Sequence, residues 1–110
     1  MNRRMQITEL IIPRNKLAKI DIAQILTAFP NLERLDLSQN LIDELLPETY
    51  QQADIVSPNL KRLLMSRNLI RDLRPLCKVC LPHLEVLTLF GNYIDVETSD
   101  QQVLLDYLSA

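Results

Sequence analysis

The chain has 110 residues, of which 47% are hydrophobic and 24% are charged, so it can bury one continuous core but is too short for a second domain. With 12 basic and 14 acidic residues, its formal net charge of -2 argues against a protein that binds nucleic acid by neutralising phosphates. No apolar run is long enough to cross a membrane, and residues 1–5 lack the apolar stretch of a secretory signal, so we expect one domain, 1–110, that acts in the cytoplasm.

One pattern occurs four times along the chain. In each copy apolar residues stand at the first, fourth, sixth and eleventh positions, and an asparagine stands at the ninth. The copies run over residues 7–17, 32–42, 60–70 and 84–94, and their asparagines are Asn15, Asn40, Asn68 and Asn92. The fourth and sixth residues are two apart and therefore lie on the same face of a strand, which predicts four short strands stacked into a parallel sheet.

This pattern resembles the L-x-x-L-x-L-x-x-N-x-L signature of leucine-rich repeat proteins. The resemblance implies an α/β fold, a leucine-rich repeat solenoid with the form of a short horseshoe arc. Its parallel β-sheet would line the concave face, and helices and irregular turns would form the convex face. We expect repeats at about 7–31, 32–59, 60–83 and 84–97, followed by a C-terminal capping helix at 99–109.

The segments between the repeated motifs show helical spacing in places. Residues 20–29 carry an apolar stripe with Asp21 as a candidate N-cap, which predicts the first convex helix. Residues 47–56 form the longest connection, and Pro47 stands at a plausible first helical position. The third connection, residues 73–81, has Leu76, Val79 and Cys80 at spacing that predicts a helix buried on one side.

Each repeated asparagine stands where the chain leaves a strand. Its amide can bond to backbone groups of neighbouring turns that would otherwise be buried without partners. We therefore predict that Asn40 and Asn68 are structural residues, whose loss leaves backbone groups unsatisfied.

Cys77, Cys80 and His83 are the residues that most invite a chemical interpretation. They offer at most three zinc ligands without a second C-x-x-C motif, and a redox pair would need a different strand and helix context. We interpret Cys80 as a small buried apolar residue on a convex helix, with Cys77 as its neighbour. The sequence predicts no enzyme, no catalytic residue, no metal site and no cofactor.

The outward residues of the four strands form rows across the predicted sheet. One row runs Glu9, Arg34, Arg62 and Val86, and the next runs Ile11, Asp36, Leu64 and Thr88. We expect Glu9 and Arg34 to pair, the carboxylates of this face to be solvated, and Leu64 and Phe90 to be exposed. Beyond the asparagines, a loop row of Lys16, Leu41, Leu69 and Tyr93 either adds exposed apolar surface or has Leu41 and Leu69 tucked into adjacent loops. Aromatic residues and arginines are enriched in protein-binding surfaces, which predicts partner-binding residues Arg34, Asp36, Arg62, Leu64, Arg67, Thr88, Phe90 and Tyr93.

These features favour a non-catalytic module that binds a single protein partner through its concave face and regulates or inhibits that partner by occluding its functional site. The chain is similar to short cytosolic leucine-rich repeat proteins of eukaryotes and to solitary repeat proteins that bacterial pathogens deliver into host cells. Its irregular repeat lengths favour the bacterial effector, which would act in the host cytosol and bind another effector. Two alternatives remain: an oligomerising adaptor unit that pairs through the open edge of the first strand, and a nucleic-acid binder that uses the arginines. We expect the free chain to be a monomer.

Overall fold

A computed structural model of the protein describes residues 3–46 and 55–94. The chain begins with a 3₁₀ helix, Arg3–Gln6. The later elements follow in the order β1 (Glu9–Ile11), β2 (Lys19–Asp21), α1 (Ile22–Ala28), β3 (Arg34–Asp36), β4 (Glu44–Leu46), β5 (Ile55–Val56), β6 (Arg62–Leu64), a second 3₁₀ helix (Arg74–Lys78), β7 (Val79–Cys80) and β8 (Val86–Thr88). Among the described residues no helix is long and apolar enough to cross a membrane.

The four strands that begin the repeats form one parallel sheet in the order β1-β3-β6-β8. Sequence neighbours among the repeats are therefore neighbours in space, as in a repeat fold. The register aligns Glu9 with Arg34, Arg34 with Arg62, and Arg62 with Val86. The second row, from Ile11 to Thr88, is aligned in the same way. Both predicted rows are confirmed.

The core lies on the inner side of this sheet. Leu35, Leu37, Leu63 and Met65, the alternating pairs of the second and third repeats, have no exposed surface. Their counterparts in the first and fourth repeats are only partly buried against the same core. Burial is thus most complete in the two central repeats, each of which has a repeat on both sides.

The predicted helix of the first connection is present. Asp21 caps it by accepting a hydrogen bond from the Gln24 amide at 3.0 Å, and Ile22 and Leu26 are buried. The helix begins at Ile22, directly after its N-cap, and Ile20 at the start of the predicted segment belongs to β2, which pairs in parallel with β4.

The helix predicted for residues 73–81 is wrong. The segment forms a short 3₁₀ helix with proline in its first turn, and then strand β7, which pairs with β5. Leu76 and Val79 are buried as expected, because a 3₁₀ turn followed by a strand also places them inward. Cys80 lies on a strand and is half-exposed, so its interpretation as a buried helical residue is wrong. Most of the connection at 47–56 and the whole capping helix at 99–109 lie outside the described residues.

The asparagines make the hydrogen bonds predicted for them. Asn68 Oδ1 accepts from the amides of Asn40 and Ile42 at 3.1 and 3.2 Å, and its Nδ2 donates to Leu37 O and Met65 O at 3.0 and 3.2 Å. Asn40 bridges the first and second repeats in the same way, and Asn92 bridges the third and fourth. One side chain thus ties each strand exit to the previous one.

A left-handed backbone residue precedes each asparagine. Arg14, Gln39 and Arg67 have φ between 55° and 59°, and Gly91 has φ 75°. Three of the four turns place a residue with a side chain in a conformation that glycine adopts most easily. The same turn is thus built in every repeat, and only the fourth has the residue type that it favours.

Candidate functional site

The outward face of the four-stranded sheet consists of the alternate strand residues and the loop residues that follow them. Its residues are not uniformly exposed. Arg62, Val86 and Phe90 are exposed, whereas Arg34, Asp36, Leu64 and Thr88 are half-buried. The prediction that Leu64 is exposed is therefore wrong, because its side chain is half-buried. Phe90, with 63% of its surface exposed, is the largest apolar projection of this face.

Asp36 is held within the sheet face by three neighbouring groups. Its Oδ1 accepts hydrogen bonds from the Ser38 amide at 3.0 Å and the Ser38 hydroxyl at 2.6 Å. Its Oδ2 lies 3.9 Å from Arg34 Nη2, and the side chain is only 14% exposed. The prediction of a solvated carboxylate is wrong at this position, because the register and the following serine enclose it.

Arg34 is the partner of Asp36 rather than of Glu9. Glu9 lies in register with Arg34, but the ion pair forms along the strand with Asp36. The Nε atom of Arg34 is buried and makes no hydrogen bond. Arg34 therefore has one counter-ion within the chain and is only partly exposed, so it contributes less cationic surface than its position in the row predicts.

Arg62 and Arg67 differ from Arg34 in this respect. Both are exposed, and neither takes part in an ion pair among residues 3–46 and 55–94. Arg62 begins β6, and Arg67 lies in the loop that follows the same strand. The third repeat thus presents two guanidinium groups whose charge this part of the chain leaves uncompensated.

Beyond the asparagines, three residues of the loop row that Lys16 begins are large, apolar and exposed. Leu41, Leu69 and Tyr93 have 51%, 40% and 62% of their surface exposed. The alternative in which Leu41 and Leu69 tuck into adjacent loops is wrong. Their backbone amides are tied to the neighbouring repeats, Leu41 to Leu17 O and Leu69 to Ile42 O, and this bonding directs the side chains outward.

Arg67 and Phe90 form a contact between repeats at this end of the sheet. The guanidinium carbon of Arg67 lies 5.7 Å from the centre of the Phe90 ring, within the range of a cation–π interaction. Gly91 lies directly beneath Arg67, since a Cβ at position 91 would be 3.0 Å from Arg67 Cγ and 3.2 Å from its Cα. Sequence reasoning missed this contact, and the glycine in the aligned left-handed position was the signal that could have found it.

Two of the residues considered for metal or redox chemistry, Cys80 and His83, have described side chains. His83 is exposed and Cys80 is half-exposed. Within the described residues no three histidine, cysteine or acidic side chains are grouped in a way that could hold a metal ion. A groove of about 620 Å³ lies at the other end of the strands, and the predicted partner-binding residues do not line it.

Comparison with known proteins gives one match. A family model described as Leucine Rich Repeat matches residues 31–52, a segment that contains β3, Asn40 and β4. No curated protein matches the chain, and no solved structure matches it.

Proposed function

We propose that this chain, which is a leucine-rich repeat protein, is a non-catalytic recognition module that binds one partner protein through the outward face of its four-stranded sheet. Leucine-rich repeat domains generally mediate protein–protein interaction, and this generality makes a protein the first class of partner to consider. In this proposal the sheet lines the concave side of a short solenoid, and the partner lies along that side.

The proposal rests on one observation, which is that Arg62 is exposed and has no counter-ion among the described residues. Its neighbour in the row, Arg34, has an internal counter-ion, whereas Arg62 has none among the described residues. An exposed arginine beside apolar surface costs little to keep in water and gains charge-assisted hydrogen bonds when a partner carboxylate arrives. Arginine and aromatic side chains are also the types that dominate measured binding hot spots.

The proposed contact surface combines charge with apolar area. A partner would present carboxylate or carbonyl groups to the arginines and an apolar pocket or ridge to Leu64 and Phe90. The residues that we propose to touch the partner are Arg34, Asp36, Arg62, Leu64, Arg67, Thr88, Phe90 and Tyr93. Four strands at a spacing of about 4.8 Å, with their loops, give a face suited to an interface of about 800 Å² per partner.

The proposed biological effect follows from occupancy. A module of this kind has no chemistry of its own, so it regulates or inhibits the partner by covering a functional site. We propose that it does so in the cytoplasm, which is the host cytosol if the chain is a delivered bacterial effector, and that it is monomeric until the partner binds.

A second candidate function is self-association as an adaptor. It is favoured by the position of β1 at the edge of the sheet and by Ile11, which is 46% exposed on that strand. Edge strands pair readily with other chains. Sedimentation over a wide concentration range distinguishes the two functions, since the adaptor would assemble as concentration rises and the single-partner module would stay monomeric.

The test of the proposal is partner retention by matched variants. Arg62→Ala and Phe90→Ala should each weaken binding by at least about 2 kcal/mol while leaving the melting temperature almost unchanged, because neither side chain belongs to the core. The control is Gln24→Ala, an exposed position on α1, outside the sheet face. Loss of the partner in the control together with full retention by both sheet-face variants would overturn the proposal.

A further inference from the structure

We infer that Gly91 is a positioning residue that holds Arg67 against Phe90, and that the resulting unit binds a carboxylate of an acidic protein segment. This inference deepens the proposed function and rests on it, since it names the chemistry that one part of the sheet face recognises. Arg67 and Phe90 belong to the proposed contact surface, and Gly91 lies next to both of them.

Arg67 is one of four equivalent turn residues with a left-handed backbone. In the ladder of left-handed residues, Arg14, Gln39, Arg67 and Gly91 occupy equivalent places in successive repeats. Arg14 Nε donates to Gln39 Oε1 at 2.6 Å, so in the first two repeats the polar side chains bond to each other. Arg67 has no such neighbour at position 91, and its guanidinium lies over the Phe90 ring instead. The glycine thus changes the partner of the arginine from a polar group to an aromatic face.

The space above position 91 is narrow. A side chain there would have its Cβ 3.0 Å from Arg67 Cγ and 3.2 Å from Arg67 Cα, which is tighter than ordinary van der Waals contact. Arg67 would have to shift by a few tenths of an ångström, and we expect this shift to weaken its contact with Phe90. The backbone angle adds to this cost, because Gly91 has φ 75°, about 20° beyond the values of Gln39 and Arg67, in a region that side-chain-bearing residues rarely adopt.

The contact with the ring leaves the N–H groups of Arg67 available. The guanidinium carbon lies 5.7 Å from the centre of the Phe90 ring, and a cation–π contact uses none of the N–H donors that lie in the guanidinium plane. Those N–H groups match the two oxygens of a carboxylate and bind it with two parallel hydrogen bonds. Because Arg67 is exposed and has no ion pair among the described residues, its edge is open to a ligand.

The surface around Arg67 indicates which class of ligand it binds. The surface around Arg67 is apolar, with Leu69, Phe90 and Tyr93 exposed, so the ligand carries apolar groups beside its acidic group. The formal net charge of -2 disfavours a polyanion that is held mainly by charge. An acidic protein segment with interspersed apolar residues supplies both kinds of contact.

The experiment has a first arm that needs no ligand. In NMR spectra of the free protein, the Phe90 ring should shift the Arg67 Hγ and Hδ signals upfield. Phe90→Leu should remove the shift, and Gly91→Ala should reduce it. Gly91→Asn tests the steric account, because asparagine tolerates the left-handed conformation and still carries a Cβ. It should reduce the shift as much as alanine does while costing less in melting temperature. An unchanged shift in both Gly91 variants would overturn the role of Gly91.

The second arm titrates a capped peptide in which aspartate alternates with leucine, and a matched peptide with asparagine in place of aspartate. The acidic peptide should move the Arg67 Nε–H signal, and the asparagine peptide should not. Arg67→Lys keeps the charge but loses the planar edge, and it should weaken binding at least about tenfold. Arg3→Ala, which removes one exposed charge elsewhere, should change binding less than about twofold. Equal binding of both peptides, or undiminished binding by Arg67→Lys, would overturn the carboxylate assignment, and so would binding of a phosphoserine peptide in place of the aspartate peptide.

The experiments distinguish failure of the Gly91 inference from failure of the proposed function. If Arg62→Ala loses the protein partner while Arg67→Lys and Gly91→Ala keep it, the sheet-face function stands and the Gly91 inference is wrong. If every sheet-face variant keeps the partner, the proposed function is wrong, whatever the spectra of the free protein show about Arg67.

Discussion

The inner and outward sides of the four-stranded sheet differ in how fully their side chains are buried and paired. On the inner side and at the strand exits, the side chains of the central repeats are buried and their amides are satisfied, as Leu63 and Asn68 illustrate. On the outward face, Arg62 and Phe90 are exposed, and Arg62 has no ion pair among the described residues. Folding accounts for the first set of residues but not for the second. Residues of one strand can therefore be divided into those that stabilise the fold and those that we propose for recognition.

On the inner side of the sheet, Asn68 is the residue whose loss we expect to destabilise the protein most. Asn68→Ala removes the partner of two backbone amides and three backbone carbonyls, all in buried surroundings. Since each unsatisfied buried group costs about 1–3 kcal/mol, we expect the free energy of unfolding to fall by at least about 3 kcal/mol. A urea melt measures it.

The control is the same residue type in the first repeat. Asn15 is exposed, and its side chain donates to Pro13 O within its own turn. Asn15→Ala should cost less than about 1 kcal/mol, because water replaces what is lost. Equal losses for Asn15→Ala and Asn68→Ala would contradict the account, since burial would then have no part in the effect.

A second, smaller effect separates two residues of the outward face. Asp36→Ala should lower the free energy of unfolding by about 1–2 kcal/mol, because it removes the bonds to Ser38 and the counter-ion of Arg34. Arg62→Ala should stay within about 0.5 kcal/mol of the parent protein. Thermal melts of the two variants side by side make the measurement. If Arg62→Ala is the more destabilising of the two, the division between internally compensated and free charges is wrong.

The smallest effect lies away from the sheet face and depends on pH. Hydrogen bonds from Arg74 lower the pKa of Asp72, whose Oδ2 lies 2.8 Å from Arg74 Nη2. A carboxylate with a lowered folded-state pKa contributes stability above its unfolded pKa, and this stability is lost as pH falls through the lowered value. Because both side chains are 41% exposed, we expect at most about 1 kcal/mol. Asp72→Asn should flatten the acid limb of stability against pH, and an unchanged limb would show that the pair contributes nothing.

The sequence predicted the sheet, its register and its asparagines because each depends on a repeated local pattern. Leu35 and Leu37 fix which face of β3 is buried, and the register of the other strands follows from the repeats. The helix predicted at residues 73–81 was wrong, because Leu76 and Val79 have a spacing that a 3₁₀ turn followed by a strand satisfies equally well. Apolar spacing indicates which residues are buried. It does not distinguish an α-helix from a 3₁₀ turn followed by a strand, since both can bury the same residues.

The candidate site was predictable in composition and not in its internal contacts. The row containing Arg34 and Arg62 was correct, but the choice of Asp36 over Glu9 as counter-ion depends on side-chain geometry along the strand. The exposure of Leu41 and the cation–π contact of Arg67 with Phe90 involve loop residues that follow the strands. The Arg67–Phe90 contact joins two repeats and the Arg34–Asp36 pair lies within one, and neither residue pair is part of the repeated pattern.

The central claim is that the outward face serves binding and not folding. The most direct measurement is partner binding and melting temperature determined together for Arg62→Ala, with Gln24→Ala as the control. The account predicts that Arg62→Ala binds its partner at least about 2 kcal/mol more weakly at an unchanged melting temperature, while the control matches the parent protein in both. A lowered melting temperature with undiminished binding by Arg62→Ala would contradict it.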